Sequence, residues 1–221
     1  MSMPKTAALI PVKHLATGKT RLAQRYDRRT IEQLSLAMLE DVLHAIADVA
    51  VISPVVVVTP DPRVTEFARA RGAYTLLLSP DPGLNTALDT AAANLARQGC
   101  EDLLVLLGDV AGATSQDLEQ LLAAGRALEQ PCAVLAQTGD GGSGALLRRP
   151  HDAIPALFGA GSATAHRRAA TARGVAFRAL TLPSLSLDID SADDVRILLR
   201  RRRGGQRTRA LLQQLESGTA P

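Results

Sequence analysis

Three cationic side chains follow the first apolar run of the chain. The run covers residues 7–12, and Lys13, Lys19 and Arg21 come soon after it. A short apolar run is typical of a buried strand, and open α/β sheets bind ligands just beyond the carboxyl ends of their strands. Three cations at that position predict a polyanionic ligand, of which a nucleoside triphosphate is the simplest.

The same loop contains Gly18-Lys19-Thr20, which resembles the end of a phosphate-binding P-loop. That motif also requires an earlier glycine, at the position where this chain has Lys13. A loop of the nucleotidyltransferase type, whose Lys and Arg side chains reach the phosphates from a flexible backbone, therefore fits better. A basic surface loop without a ligand is the alternative interpretation.

Three aspartates could hold a divalent cation. Asp109 follows the apolar run 103–107, so it lies at the ligand edge of the predicted sheet. Asp188 and Asp190 alternate with aliphatic residues, and on an extended segment two such carboxylates face the same side. Neighbouring carboxylates repel unless a cation joins them, which favours Mg²⁺ held together with substrate phosphates. The alternatives are a turn residue for Asp109 and a helix-capping role for one of the pair.

Two glycine-rich segments could bind anions through backbone amides. Residues 139–144 formally match a dinucleotide-binding pattern, yet no helix pattern follows them, so a loop with exposed amides is the better interpretation. Two further glycines precede a helix predicted over residues 162–173, whose N-terminus could bind an anion. Ser162 could instead cap that helix, and His166 is not assigned a catalytic role.

Strand and helix patterns alternate along the chain and indicate four βα units followed by a less regular half. Helix caps are predicted at Thr30, Thr114 and Ser191. The pattern predicts an α/β fold in which helices cover both faces of a mostly parallel, mixed sheet, a three-layer αβα sandwich. The predicted strands cover residues 7–12, 54–59, 73–79, 102–107, 132–136, 145–149 and 175–182.

The charge of the chain is unevenly distributed. The formal net charge is +3, but residues 196–209 hold seven arginines and no acidic residue, so the remainder is net negative. A nucleic-acid enzyme more often carries its basic surface on the folded body, which argues against a nucleic-acid partner. We expect a single domain over residues 1–203 and a basic tail over residues 204–221. Attraction of RNA or of an anionic surface is the alternative use of the arginines.

The two cysteines, Cys100 and Cys132, fit no zinc or redox spacing. No apolar run is long enough for a signal peptide or a membrane span. We therefore expect free thiols in a reducing compartment, a cytoplasmic location and no membrane partner.

The ordered set of these motifs resembles the 2-phospho-L-lactate, phosphoenolpyruvate and 3-phosphoglycerate guanylyltransferase family of coenzyme F-420 biosynthesis. The resemblance implies a single nucleotidyltransferase domain of GT-A-like fold, with GTP and Mg²⁺. It also implies a phosphorylated three-carbon acid as the acceptor. The motifs are Ile10-Pro11-Val12-Lys13 with residues 18–23, Gly83-Leu84-Asn85-Thr86-Ala87-Leu88, Phe158-Gly159-Ala160-Gly161-Ser162, and residues 187–195.

The resemblance also implies which residues bind each substrate, and we state these roles as expectations. We expect the metal to be bound by Asp109, Asp188 and Asp190. We expect the nucleotide to be bound by Gly83, Leu84 and Asn85, and the acid to be bound by Ser143, Gly159 and Ser162.

The chain departs from the family pattern at two places. Ser143-Gly144 stands where the family usually has Thr-Asn, and Asp109-Val110-Ala111 stands where it usually has Asp-Leu-Pro. Serine keeps the hydroxyl but lacks the methyl group of threonine, which would leave the acid pocket roomier.

The expected reaction is attack of the acceptor phosphate on the α-phosphorus of GTP, with release of pyrophosphate. Lys13, Lys19 and Arg21 would offset the charge of the triphosphate. Two alternatives stay open at this point: a nucleotidyltransferase for a sugar phosphate or molybdopterin, and a non-catalytic nucleotide-binding regulator. We leave open whether the chain forms a homodimer.

Overall fold

The structure, a computed structural model, describes residues 6–17, 19, 21–201 and 203–217. Gly18 and Thr20 of the predicted phosphate-binding loop lie outside these ranges, as does Arg202 of the arginine-rich segment. The statements that follow concern the described ranges.

One mixed sheet forms the centre of the molecule. Its strands are β1 (Thr6–Pro11), β2 (Ile52–Thr59), β3 (Tyr74–Leu77), β4 (Asp102–Leu106), β5 (Cys132–Gln137), β6 (Ser143–Arg149) and β7 (Ala176–Leu180). They lie in the order β3-β2-β1-β4-β6-β5-β7. Every neighbouring pair is parallel except that β6 runs antiparallel to both β4 and β5. The predicted mostly parallel, mixed sheet is thereby confirmed.

Helices cover both faces of this sheet. They are α1 (Arg28–Ala47), α2 (Pro62–Arg69), α3 (Leu84–Arg97), α4 (Ser115–Arg126), α5 (Ser162–Arg173), α6 (Ala192–Arg200) and α7 (Gln206–Glu216). Ala8 and Ile10 of β1 pack in one core cluster with α1, α2 and α4, whereas Ala7 and Leu9 pack in another with α3 and α5. This alternation along one strand produces the three layers that the sequence predicts. None of the helices in the described ranges is long and apolar enough to cross a membrane.

The predicted helix caps are confirmed at two positions and wrong at one. The Thr114 and Ser191 side chains accept hydrogen bonds from the amides of Asp117 and Asp194. Thr30 is not a cap, because α1 begins earlier and the Asp27 carboxylate accepts from the Thr30 amide at 2.7 Å. Aspartate satisfies orphan amides of a first helical turn as well as threonine does, so the earlier residue takes the capping role.

The segment expected as a basic tail is folded where the structure describes it. Helix α7 packs on α1, with Thr208 and Leu212 fully buried. The buried Asp41 carboxylate of α1 accepts hydrogen bonds from the Arg207 amide, the Thr208 amide and the Thr208 hydroxyl at 2.7–2.9 Å. A carboxylate at a helix N-terminus satisfies free amides and favours the helix dipole. The boundary at residue 203 stays a prediction, but α7 is anchored to the domain.

Replacing Asp41 with alanine should destabilise the protein by about 2 kcal/mol, because three hydrogen-bond donors of α7, two of them buried, would lose a charged acceptor. Urea unfolding measures the change, and limited proteolysis should detect earlier cleavage at the α6–α7 turn. Glu40→Ala is the matched control on the same helix, since in the part of the chain that the structure describes Glu40 pairs with the partly exposed Arg71 and the largely exposed Arg207. Equal effects of the two substitutions would show that Asp41 does not anchor α7.

Candidate functional site

A cavity of about 900 Å³ opens at the edge of the sheet where β1, β2 and β4 end and β6 begins. Parallel strands place their following loops at one edge, so residues far apart in sequence meet there. Every predicted site residue except Asn85 lines this cavity: Lys13, Lys19, Arg21, Gly83, Leu84, Asp109, Ser143, Gly159, Ser162, Asp188 and Asp190.

Lys19 and the predicted metal-binding aspartates form one polar group in the lining of the cavity. The Lys19 ammonium group lies 2.9 Å from Asp109 Oδ2 and 2.7 Å from Asp190 Oδ1, and the lysine side chain is only 9% exposed. Lys19 also has a φ of 62°, a backbone conformation that costs a non-glycine residue energy. The sequence analysis expected Lys19 to face phosphates, whereas here it bridges two of the three predicted metal ligands.

The side chains of Asp188 and Asp190 face the same cavity, as the alternation of aspartate and aliphatic residues predicts. Leu187 and Ile189 are buried in the core with α6, while both carboxylates line the cavity. Burial raises the pKa of the Asp188 carboxyl, and the negative charges of Asp109 and Asp190 add to this increase. The pKa of Asp109 falls below its usual range because the Lys19 ammonium outweighs the opposing effect of burial. The Lys19 ammonium opposes the increase at Asp188 only weakly, because its direct ion pairs are with Asp109 and Asp190.

The carboxylates suit Mg²⁺ in chemical type. Asp109 Oδ1 is buried and has no hydrogen-bond partner among the described residues, and Asp188 is repelled by both neighbours. Oxygen ligands of this kind are those that Mg²⁺ prefers. With Lys19 between two of them, however, no group of three or more His, Cys, Asp or Glu side chains in the described ranges is arranged to hold a metal ion. The Mg²⁺ site therefore stays a prediction, supported by the donor set.

A second polar group in the lining of the cavity consists of the buried hydroxyls of Ser143 and Ser162. Ser162 Oγ lies 2.9 Å from Ser143 Oγ, which in turn lies 3.1 Å from Nδ1 of His166. His166 Nε2 accepts a hydrogen bond from the Leu157 amide at 3.0 Å. Ser162 makes no capping bond, and Gly161 occupies the N-cap position of α5. Its hydroxyl is therefore directed to Ser143 rather than to the helix.

Burial lowers the pKa of His166 from 6.5 to about 4, and the positive charge of Arg148 contributes to the decrease. The folded protein thus holds this ring neutral where the unfolded chain would protonate it. The stabilising effect is fully present above pH 6.5 and is lost as the pH falls towards 4.

Between pH 7 and pH 5, this exclusion of a proton should cost the wild-type protein about 2 kcal/mol of stability. Urea unfolding at both pH values measures the loss. The variant His166→Gln cannot take up the proton, so its stability should fall by about 2 kcal/mol less over the same interval. An equal decrease in the two proteins would contradict the neutral, buried state of His166.

Asn85 does not line the cavity, unlike its neighbours Gly83 and Leu84. Its side-chain amide pairs with the backbone of Phe158: Oδ1 accepts from the Phe158 amide at 2.8 Å, and Nδ2 donates to the Phe158 carbonyl at 3.1 Å. Asn85 thus fastens the loop before Gly159 to α3. A direct contact with nucleotide stays a prediction, and the observed contacts are with the backbone of Phe158, next to Gly159.

Comparison with known proteins places the chain in a family. The profile of the family described as "Guanylyl transferase CofC like" matches residues 6–219. A phosphoenolpyruvate guanylyltransferase of Sphaerobacter thermophilus is 38% identical over 193 residues, which cover 86% of this chain and 90% of that protein. A 3-phospho-D-glycerate guanylyltransferase of Colwellia psychrerythraea is 31% identical over 194 residues, covering 88% and 91%. The chain belongs to the CofC-like guanylyl transferase family.

Solved structures agree with this family at the level of the fold. A protein of Desulfovibrio desulfuricans G20, named as a nucleotide-diphospho-sugar transferase, superposes with a TM-score of 0.77 over 97% of this chain and 96% of its own. The two sequences are 16% identical, so the likeness concerns the fold alone. It confirms the predicted nucleotidyltransferase architecture.

Gly144 lies at one of the two places where the sequence analysis expected a departure from the family pattern, and the structure supplies a reason for glycine. A β carbon at Gly144 would lie 1.8 Å from the carbonyl oxygen of Leu185. The segment that leads to Asp188 therefore passes directly over the start of β6. Only glycine permits backbones to approach this closely.

Asp61 is a positioning residue outside the set of predicted site residues. Its buried carboxylate accepts from the Leu15 amide at 2.9 Å through Oδ2 and from the Arg63 amide at 2.9 Å through Oδ1. One side chain therefore caps α2 and holds the loop that carries Lys13. The signal in the sequence is an aspartate directly before a proline at a helix start, which is a capping pattern.

Proposed function

We propose that this enzyme transfers GMP from GTP to the phosphate of a small phosphorylated acid and releases pyrophosphate. The observation that supports this best is that two separate groups of polar side chains line one cavity. One group contains Lys19 with the carboxylates of Asp109 and Asp190, and the other contains the hydroxyls of Ser143 and Ser162. A triphosphate with its metal suits the first group, and a small acid suits the second.

In the proposed reaction, an oxygen of the acceptor phosphate forms a bond to the α-phosphorus of GTP. The bond from that phosphorus to the oxygen bridging the α- and β-phosphates breaks, and pyrophosphate leaves with the electron pair. A phosphate oxygen is already ionised near pH 7, so no strong general base is required. The protein contributes positioning and electrostatic stabilisation. Lys13, Lys19 and Arg21, which line the cavity, would neutralise charge on the phosphates.

Asp109, Asp188 and Asp190 would hold Mg²⁺, which supplies positive charge to the phosphates when bound. Lys19 would then be free of one or both carboxylates and could face the triphosphate, as the sequence analysis expected. In this structure, its ammonium group offsets part of the negative charge of Asp109 and Asp190.

The acceptor is proposed from the names of the relatives. Two relatives at 38% identity are phosphoenolpyruvate guanylyltransferases by name. Of two relatives at 31% identity, one is named for 3-phospho-D-glycerate and the other for phosphoenolpyruvate. We therefore propose phosphoenolpyruvate as the first acid to test, with 3-phospho-D-glycerate and 2-phospho-L-lactate beside it. A place in coenzyme F-420 biosynthesis, a cytoplasmic location and a homodimer remain further proposals of the same kind.

Pyrophosphate release tests the proposal. The purified protein is incubated with GTP and Mg²⁺, and each of the three acids is supplied in a separate reaction. Release that depends on one acid is expected, and it should fall strongly when ATP, CTP or UTP replaces GTP. A preference for CTP or UTP, or no release with any of the three acids, would contradict the proposed function.

A further inference from the structure

His166 is fully buried and does not line the cavity. It is hydrogen-bonded to Ser143, which does line the cavity and is proposed to bind the acid. The proposed reaction gives it no role. Its two ring nitrogens have different partners, and these partners determine where the ring proton lies.

A backbone amide can only donate a hydrogen bond, so His166 Nε2 must accept from the Leu157 amide. A neutral imidazole carries one proton, which is then on Nδ1. Nδ1 consequently donates to Ser143 Oγ, 3.1 Å away. The low pKa of His166 is consistent with a neutral ring in the folded protein.

The direction of the hydrogen bond between His166 and Ser143 determines whether a serine hydroxyl proton is available to a ligand in the cavity. Ser143 and Ser162 together carry two hydroxyl protons, and the bond between their oxygens uses one of them. Because Ser143 accepts from His166, the second hydroxyl proton remains available to a ligand. If Nδ1 were instead an acceptor, both protons would be used inside the protein and only lone pairs would face an anion.

We propose that His166 is a positioning residue that makes the Ser143–Ser162 pair a hydrogen-bond donor to an anionic oxygen of the acid substrate. The inference rests on the proposed function, since it gives this pair the acid as its ligand. It adds a specificity determinant: the site favours an acceptor with a carboxylate or phosphate oxygen at this position over one that presents a donor.

Two variants with amide side chains distinguish the roles of the two ring nitrogens. In His166→Asn, the side-chain NH₂ can take the place of Nδ1 and donate to Ser143. In His166→Gln, the side-chain carbonyl can take the place of Nε2 and accept from Leu157, but the donor to Ser143 is lost. Both variants lose the edge contact of the ring with Phe158, so each controls for the loss of packing in the other.

The measurement is calorimetric titration of phosphoenolpyruvate into protein loaded with Mg²⁺ and a GTP analogue that has a methylene group between the α- and β-phosphorus atoms. We expect His166→Gln to bind the acid about 10-fold more weakly, as for loss of a hydrogen bond to a charged group. His166→Asn should stay within about 3-fold of wild type, and both should bind the analogue normally. Equal weakening in the two variants, or weakening in His166→Asn alone, would overturn the inference.

The position of the ring proton can be read without any substitution. Long-range ¹⁵N–¹H correlation on protein labelled at histidine should show the Nδ1–H tautomer for His166, and the Nε2–H tautomer would overturn the inference even if the variants fail to fold. Pyrophosphate release by the wild type is judged separately. A wild type that binds the acid but releases no pyrophosphate would contradict the proposed function and leave the inference to be decided by affinity and tautomer.

Discussion

Replacing Asp190 with alanine should reduce kcat on the order of 10³-fold, while the variant remains folded. The substitution removes one of the carboxylates expected at Mg²⁺ and one of the two acceptors of Lys19. The Asp190 side chain is 49% exposed, so its loss leaves no buried gap. Lys19 keeps its ion pair with Asp109, and stability should therefore change by less than about 1 kcal/mol.

Asp193→Ala is the matched control for this prediction. Asp193 lies three positions further along the same segment, and its exposed carboxylate pairs with Arg196 outside the cavity. The control should retain the turnover of the wild type. An active Asp190→Ala enzyme, or an equal loss of turnover in both variants, would contradict the metal assignment. Steady-state kinetics with thermal unfolding of each variant distinguishes these results.

Replacing Gly144 with alanine should cost about 3 kcal/mol of stability, or roughly 8 °C in Tm. The new β carbon would meet the Leu185 carbonyl oxygen, which cannot move aside freely. Leu185 is fully buried, and the adjacent Ser184 amide donates to Asp117 of α4 at 2.9 Å. The segment would therefore shift as a unit and carry Asp188 with it. A displacement of about 1 Å at a reactive centre lowers kcat on the order of 100-fold, and we expect a loss of this order here.

Gly139→Ala tests whether the effect is specific. Gly139 lies in the same glycine-rich segment, but a β carbon there would meet nothing within 4 Å. This variant should keep the Tm and kcat of the wild type. If Gly144→Ala behaved in the same way, the close approach of β6 and the Leu185 segment would be wrong. Differential scanning calorimetry and pyrophosphate release measure the two properties.

The sequence predicts the architecture well because the sheet is buried on both faces. Short, near-continuous aliphatic runs such as residues 103–107 are typical of central strands, and the helices between them show clear periodicity. The common orientation of Asp188 and Asp190 is also predictable, since it follows from the alternation of an extended segment. These features depend on local pattern, which a single sequence displays.

The features that the sequence could not predict depend on contacts between distant residues. The pairing of Asn85 with Phe158 and that of Ser143 with His166 each join separate elements, and no local pattern indicates them. Helix α7 was missed because its arginines suggested a solvated tail, whereas the buried Asp41 on α1 provides its anchor. The ion pairs of Lys19 likewise required the fold, which brings the first loop against the segment after β4.

Double labelling of GTP shows which phosphorus atom the acceptor attacks. The protein is incubated with Mg²⁺, phosphoenolpyruvate and GTP that carries radioactive phosphorus at either the α or the γ position. If the α-phosphorus is attacked, the α label appears in a guanylylated acid and the γ label appears only in pyrophosphate. Transfer of the γ label to the acid, or release of the γ label as inorganic phosphate without acid, would contradict attack at the α-phosphorus.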